Sequence, residues 1–289
     1  MKNILLFASI LMVLFIAPIK SVAQEKSTQD STVKESSLEK NSYGLVSANY
    51  NSNIVFLGRR SSSVAPYLSA YAGYYHKSGL FINGGASYLT AASENRIDLL
   101  MLSTGYHYYL NNFSAGISGT KYFFNSKSYT AKSALSGNVN AYADYDFDIV
   151  DVYVDGSIYF SNASDFVLST VISHAFYAAK DNLDIIPAFS IYAGTQNYFG
   201  DYNNNRRFGR HMQDGVGSQS IGKGMMGAGS LIVLDYELSV PISYTIKKFW
   251  LSFTPVYAIP VNPATITNDL NNYKEDISNT LFWSLGVVY

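Results

Sequence analysis

Between Ser230 and Ile259 the chain alternates between apolar and polar residues. Even positions from Ile232 to Ile246 read Ile, Leu, Tyr, Leu, Val, Ile, Tyr, Ile, and the odd positions include Asp235, Glu237, Ser239, Ser243 and Thr245. A period of two places one set on each face of a β-strand. After Lys247-Lys248 the pattern resumes with Phe249, Leu251, Phe253, Tyr257 and Ile259 on one face, and Ser252 and Thr254 on the other. Strands in globular domains usually run about five or six residues, and these are far longer. Long two-faced strands joined by a two-residue turn predict a transmembrane antiparallel up-and-down β-barrel, apolar toward lipid and polar inside.

Twelve strands are predicted, near 43–50, 65–75, 79–89, 97–110, 113–123, 135–147, 149–160, 165–177, 184–198, 229–246, 248–260 and 277–289. Connections alternate in length along the chain. They are short at His76–Ser78, Asn111-Asn112, Asp148, Ala178–Leu183 and Lys247-Lys248, and longer or irregular at 51–64, 90–96, 124–134, 161–164, 199–228 and 261–276. Short turns belong on the periplasmic side and long loops outside, which puts both ends of the barrel in the periplasm. Two more strands show the same two faces. Phe113, Ala115 and Ile117 oppose Ser114, Ser118 and Thr120; Val150, Val152, Val154, Ile158 and Phe160 oppose Asp151, Asp155 and Ser157. Pro187, Pro241 and Pro255 fall inside strands, where a missing N–H predicts a bulge at each.

The last strand ends Leu281, Trp283, Leu285, Val287, Tyr289, all on one face and finishing in an aromatic. This resembles the C-terminal signal by which outer-membrane barrels are recognised for assembly, with Ser284 where that signal often has glycine. The resemblance is to the broad class of Gram-negative outer-membrane β-barrel proteins and covers Tyr43 to Tyr289. It implies insertion by the outer-membrane assembly machinery and says nothing of cargo.

The N-terminus agrees. Met1-Lys2, the apolar run Ile4 to Ala17 and the small-x-small Ser21-Val22-Ala23 read as a signal peptide over 1–23, too short for the ~20 residues of a spanning helix. Residues 24–42, QEKSTQDSTVKESSLEKNS, are too polar to offset the entropy of ordering and are expected to be a disordered periplasmic tail. The barrel then spans 43–289.

Composition narrows the function classes. The chain has no cysteine, which excludes a disulfide framework, a thiolate metal site and a cysteine nucleophile. Charged residues make up 14%, below the ~25% of ordinary domains. Without Lys2 and Lys20 the 20 basic residues become 18 against 21 acidic ones, a net charge of −3. No basic field exists to attract nucleic acid. The 25 tyrosines and 17 phenylalanines suit aromatic girdles at the membrane interfaces or the filling of a narrow lumen.

Candidate chemistry lies on the inner face. Asp144, Asp146, Asp151 and Asp155 gather around the turn at Asp148, and Asp235 and Glu237 add acids on another strand. They could form a cation path or a carboxylate calcium site, or be solvated lumen acids. Tyr67, Tyr71, Tyr75, Tyr142, Tyr153, Tyr159 and Tyr192 also face inward, either as filler or as a track on which sugar rings stack. Arg206, Arg207, Arg210 and His211 form a basic patch in the long 199–228 loop, suited to lipopolysaccharide phosphates, an anionic ligand or the lumen acids. Gly217 to Lys223 imitates a phosphate loop, but Gly224 replaces the magnesium-binding Ser or Thr and no helix follows. No His-x-Ser pair of the lipid-hydrolysing barrels is present: His107 precedes Tyr108-Tyr109, and His174 precedes Ala175-Phe176. No metal or cofactor is expected. The sequence therefore predicts a non-enzymatic barrel passing small solutes. The alternatives are a plugged barrel with a structural, adhesion or assembly role, and an outer-membrane hydrolase.

Overall fold

The computed structural model describes residues 41–60, 64–91, 94–128, 130–198, 224–226, 228–267, 272–275 and 277–289. The expected signal peptide and nearly all of the expected tail lie outside them. Among the described residues twelve antiparallel strands close into one barrel. In chain order they are β1 (Tyr43–Asn51), β2 (Tyr67–Tyr75), β3 (Leu80–Ala91), β4 (Glu94–Leu110), β5 (Phe113–Phe124), β6 (Gly137–Asp146) and β7 (Asp151–Phe160). Then follow β8 (Asp165–Ser173 with Phe176–Ala178), β9 (Leu183–Ile185 with Ala188–Gly194), β10 (Ile232–Ser239 with Ile242–Ile246), β11 (Phe249–Pro260) and β12 (Thr280–Val288).

Each strand pairs with its chain neighbours, and β12 pairs with both β11 and β1. At the seam the Val46 and Tyr289 backbones exchange two hydrogen bonds of 3.0 and 2.9 Å. Closure leaves no unpaired edge, the condition for a sheet to survive in hydrocarbon. The outward face is apolar: Leu102, Ile117, Leu238 and Leu285 are each about half exposed. The outward Thr104 hydroxyl is satisfied by donating to the Phe81 carbonyl at 2.9 Å. Aromatics crowd the end with the short turns, where Tyr74, Tyr108, Tyr145, Phe176, Phe249 and Tyr289 stand exposed. This is an interfacial girdle. The protein is thus an integral β-barrel of the outer-membrane type.

None of the three prolines marks the expected bulge, because the cross-strand register runs unshifted past each of them. Pro187 and Pro241 interrupt β9 and β10, and β8 breaks beside them at His174-Ala175. The three breaks align, bridged by Ile186 N–H to the Pro241 carbonyl (2.8 Å) and His174 N–H to the Pro187 carbonyl (3.2 Å). Pro255 instead sits within unbroken β11 opposite Trp283. A bulge unrelated to proline falls at Tyr192/Ala193, where β9 meets β10. It turns Leu234 inward, fully buried, although the alternation had placed that residue on the lipid face.

The segment between β1 and β2, expected to be an irregular outer loop, enters the barrel as a small hairpin. Val55–Phe56 pairs with Arg59–Arg60 around Leu57-Gly58. Both turn residues have positive φ, 50° and 73°, which gives the twist a two-residue hairpin needs. Glycine takes this conformation freely; Leu57 takes it at a cost, offset by burying its side chain in the lumen.

Candidate functional site

The site is the lumen, and it has two unlike halves. Toward the long loops it is filled. Phe56 and Leu57 of the hairpin pack among inward residues from strands all around the wall, including Tyr71, Met101, Tyr122, Tyr159, Tyr192 and Leu234. Phe56 meets Tyr159 and Tyr198 edge-on, with ring centroids 5.7 and 5.1 Å apart. Val55 packs separately on Val256, Ala258 and Phe282.

Polar contacts fix the hairpin in place. The buried Arg59 donates to Gln196 Oε1 (2.6 Å) and to the Leu57 carbonyl (3.1 Å), and its Nε lies 3.3 Å from Glu275 Oε2. A Cβ added at Gly58 would stand 2.8 Å from the Asp235 carboxylate and from Pro260, so only glycine passes there. Lys132, on the turn between β5 and β6, extends over the Tyr122 and Phe56 rings at 4.7 and 5.6 Å. Its stem keeps some exposure, while the enclosed ammonium is pushed down to about 8 by burial.

A pH effect follows, with its sign. An ammonium whose pKa is about 8 when enclosed and ordinary when released binds fewer protons in the docked state. Docking therefore strengthens as pH rises from about 8 toward 10 and weakens below that window. The fraction of time that refolded barrels spend open should fall several-fold between pH 7 and 9.5, and Lys132→Met should remove that dependence.

Toward the short turns the inner wall is more open. Tyr75, His107, Tyr142, Asp146, Asp151 and Tyr153 are partly exposed, and Tyr109 reaches 49%. Rings here lie flat on the wall because glycines on the next strand leave room for them. Phe81 covers Gly105, and Tyr142 covers Gly116, to which it is directly paired. Tyr71 covers Gly85 in the same way higher up. Successive rings overlap: Tyr43–Tyr75 at 5.0 Å, Tyr75–Phe81 at 5.6 Å, Phe81–His107 at 4.5 Å and Tyr142–Tyr153 at 5.5 Å. The Tyr142 hydroxyl and His107 Nδ1 share a hydrogen bond of 2.7 Å.

The six acids sit on this inner face but do not form one ring. Asp146 pairs across with Asp151, and Asp144 with Tyr153. Ser114 Oγ donates to Asp144 at 3.5 Å. Asp155, buried, accepts from Asn140 (2.8 Å) and Ser169, and is a satisfied wall residue. Asp235 and Glu237 are buried beside the hairpin tip, with Tyr192 OH 3.4 Å from Glu237. Of the seven inward tyrosines, Tyr67, Tyr71, Tyr159 and Tyr192 belong to the packed half, where Tyr67 donates to Asp98, and Tyr75 lies toward the short turns. Tyr142 and Tyr153 line the open half. Arg206, Arg207, Arg210 and His211 lie outside the described residues.

Two contributors escaped the sequence reading. Asp184 faces inward near the short turns, accepting from Ser243 Oγ at 3.1 Å; its strand is only three residues long, too short to show a period. Arg59 looked like a loop residue. Among the described residues no group of three or more metal-ligating side chains converges.

No protein-family model matches the chain, and no curated protein does. Solved structures similar to it include the KdgM porin, at 10% identity over 85% of this chain and 98% of that one, with TM-score 0.47. The NanC porin shares 9% identity over 86% and 99%, with TM-score 0.46. An outer membrane channel from Pseudomonas putida F1 shares 10% over 89% and 99%, with TM-score 0.43. These similarities bear on architecture alone; what the lumen does follows from its own residues.

Proposed function

We propose that the protein is a small-solute channel of the outer membrane that prefers cations and is held closed on its outer side by the 54–60 hairpin. One observation carries the reading: the inner wall below the hairpin bears acids and hydroxyls and, among the described strand residues of that half, no inward Lys or Arg. Asp144, Asp146, Asp151, Asp155 and Asp184 line it, while the nearby Lys77, Lys180, Lys247 and Lys248 lie in the short turns at the rim. A barrel that served only as a scaffold would have no need for a polar wall of one charge sign. Conductance of the refolded mature chain in a planar bilayer under a salt gradient tests this. Discrete steps with a cation-selective reversal potential support it. A silent or anion-selective barrel with intact β-structure overturns it and returns attention to the plugged-barrel alternative.

A further inference from the structure

The half of the lumen open toward the short turns carries a belt of rings that ion passage leaves unused. Tyr43, Tyr75, Phe81, His107, Tyr142 and Tyr153 stand on β1, β2, β3, β4, β6 and β7. Each ring neighbours the next, with centroids 5.0, 5.6, 4.5, 5.8 and 5.5 Å apart. On β5, Gly116 leaves room for Tyr142 to lie flat over it, so the other face of that ring is turned to the lumen. Tyr109, half-exposed, stands 6.1 Å from His107 beside the belt. Around the rings the wall is polar. Ser114 and Asp144 flank Tyr142 in direct register, and Asp184, Thr245 and Ser252 are partly exposed farther round. Asp144 is already hydrogen-bonded to Asp151 and accepts from Ser114. A carboxylate has about four lone-pair sites, so an engaged acid still accepts from a solute hydroxyl without needing a positive charge.

We propose that this vestibule binds uncharged sugars, a pyranose laying its C–H face on Tyr109, Tyr142 and neighbouring rings and donating its hydroxyls to the acids and hydroxyls around them. The sugar and the wall are amphipathic in the same way. A pyranose has a flat face of C–H bonds, which gains by covering an aromatic ring and leaving water. Its rim of hydroxyls loses water on entry, a cost met only where acceptors stand ready. A belt of neighbouring rings seats more than one sugar unit, so a disaccharide is expected to bind more tightly than a single unit. Anionic sugars are repelled by the like charge of Asp144, Asp146 and Asp151. Acyclic polyols bring the hydroxyls but no preformed flat face. The inference deepens the channel reading by naming its cargo, yet the binding site does not need the outer end to open.

Calorimetric titration of the refolded mature barrel with cellobiose, in a detergent whose headgroup is not a sugar, tests it. Sorbitol, with hydroxyls and no ring, and digalacturonate, a disaccharide with negative charge, are the contrasts. Cellobiose is expected to bind about tenfold more tightly than either. Tyr109→Leu, at a half-exposed position that does not threaten folding, should weaken cellobiose several-fold, and Tyr109→Phe, which keeps the ring, should not. Tyr142→Leu should weaken it as Tyr109→Leu does. Retained heat-modifiable migration of each variant shows that the barrel is intact. Equal binding of cellobiose and sorbitol, binding of digalacturonate as tight as that of cellobiose, or no cellobiose binding by the wild-type barrel would each overturn the proposal. Cellobiose binding by a barrel that is silent in bilayers would leave this site standing and remove the channel. A conducting barrel with no cellobiose binding would do the reverse.

Discussion

Replacing Ile54 to Arg60 with a short Gly-Ser linker is expected to raise single-channel conductance several-fold and leave the β-barrel intact. The hairpin brings Phe56 and Leu57 into contact with residues from most of the wall, so its removal takes out the centre of the packed half. Burial of two such side chains contributes on the order of 1.5–3 kcal/mol each. Losing Arg59 also leaves Glu275 with no partner in its ion pair, and an unpaired buried charge is costly unless water reaches it. Here water does reach it, because the excised volume becomes lumen. The interstrand ladder of the twelve strands involves none of the hairpin. Heat-modifiable migration and β-sheet circular dichroism should therefore stay as in the wild type while conductance changes. Unaltered conductance would place the constriction elsewhere and sink the closing role assigned to the hairpin.

Neutralising the rim acids should shift ion selectivity, with the largest change for the triple variant Asp144→Asn, Asp146→Asn, Asp151→Asn. These groups stand on two paired strands on the inner wall, surrounded by a low-dielectric barrel that focuses their field into the lumen. No inward Lys or Arg stands among the described strand residues of this half. The reversal potential under a salt gradient is expected to move most of the way to zero. The effect should fade toward 1 M salt, where the screening length is only about 3 Å. Asp155→Asn serves as the contrast. Its carboxylate is already engaged by Asn140 and Ser169, so its loss should cost stability more than selectivity. A reversal potential that ignores the triple variant would disconnect these acids from the conduction path.

The inward set was legible because a strand's side chains alternate strictly, so one assigned face fixes every second residue. Asp144, Asp151, Tyr142 and Tyr153 all stand where the alternation placed them. The same rule failed at Leu234, where one extra residue in β10 flips the face locally and no proline or glycine announces it. It also missed Asp184, on a strand segment too short for a period to show. Glycines opposite inward tyrosines do not read in sequence as seats for rings. In the folded wall each of Gly85 and Gly116 instead receives its neighbour's ring. Length and turn pattern said nothing of the hairpin, since Leu57 in a left-handed conformation is not a turn signal.

The sequence by itself determined that the chain is a barrel, how many strands it has, which face meets lipid and which acids look inward. All of these follow from a local period of two and from the alternation of turn lengths, properties that neighbours in sequence carry. Only the tertiary structure decided that the lumen is filled at one end and open at the other. That depends on Arg59 meeting Gln196, 137 positions away, and on Phe56 finding Tyr159 and Tyr198 across the lumen. Contacts of that kind exist only once the sheet has closed, because closure brings distant strands around one small volume.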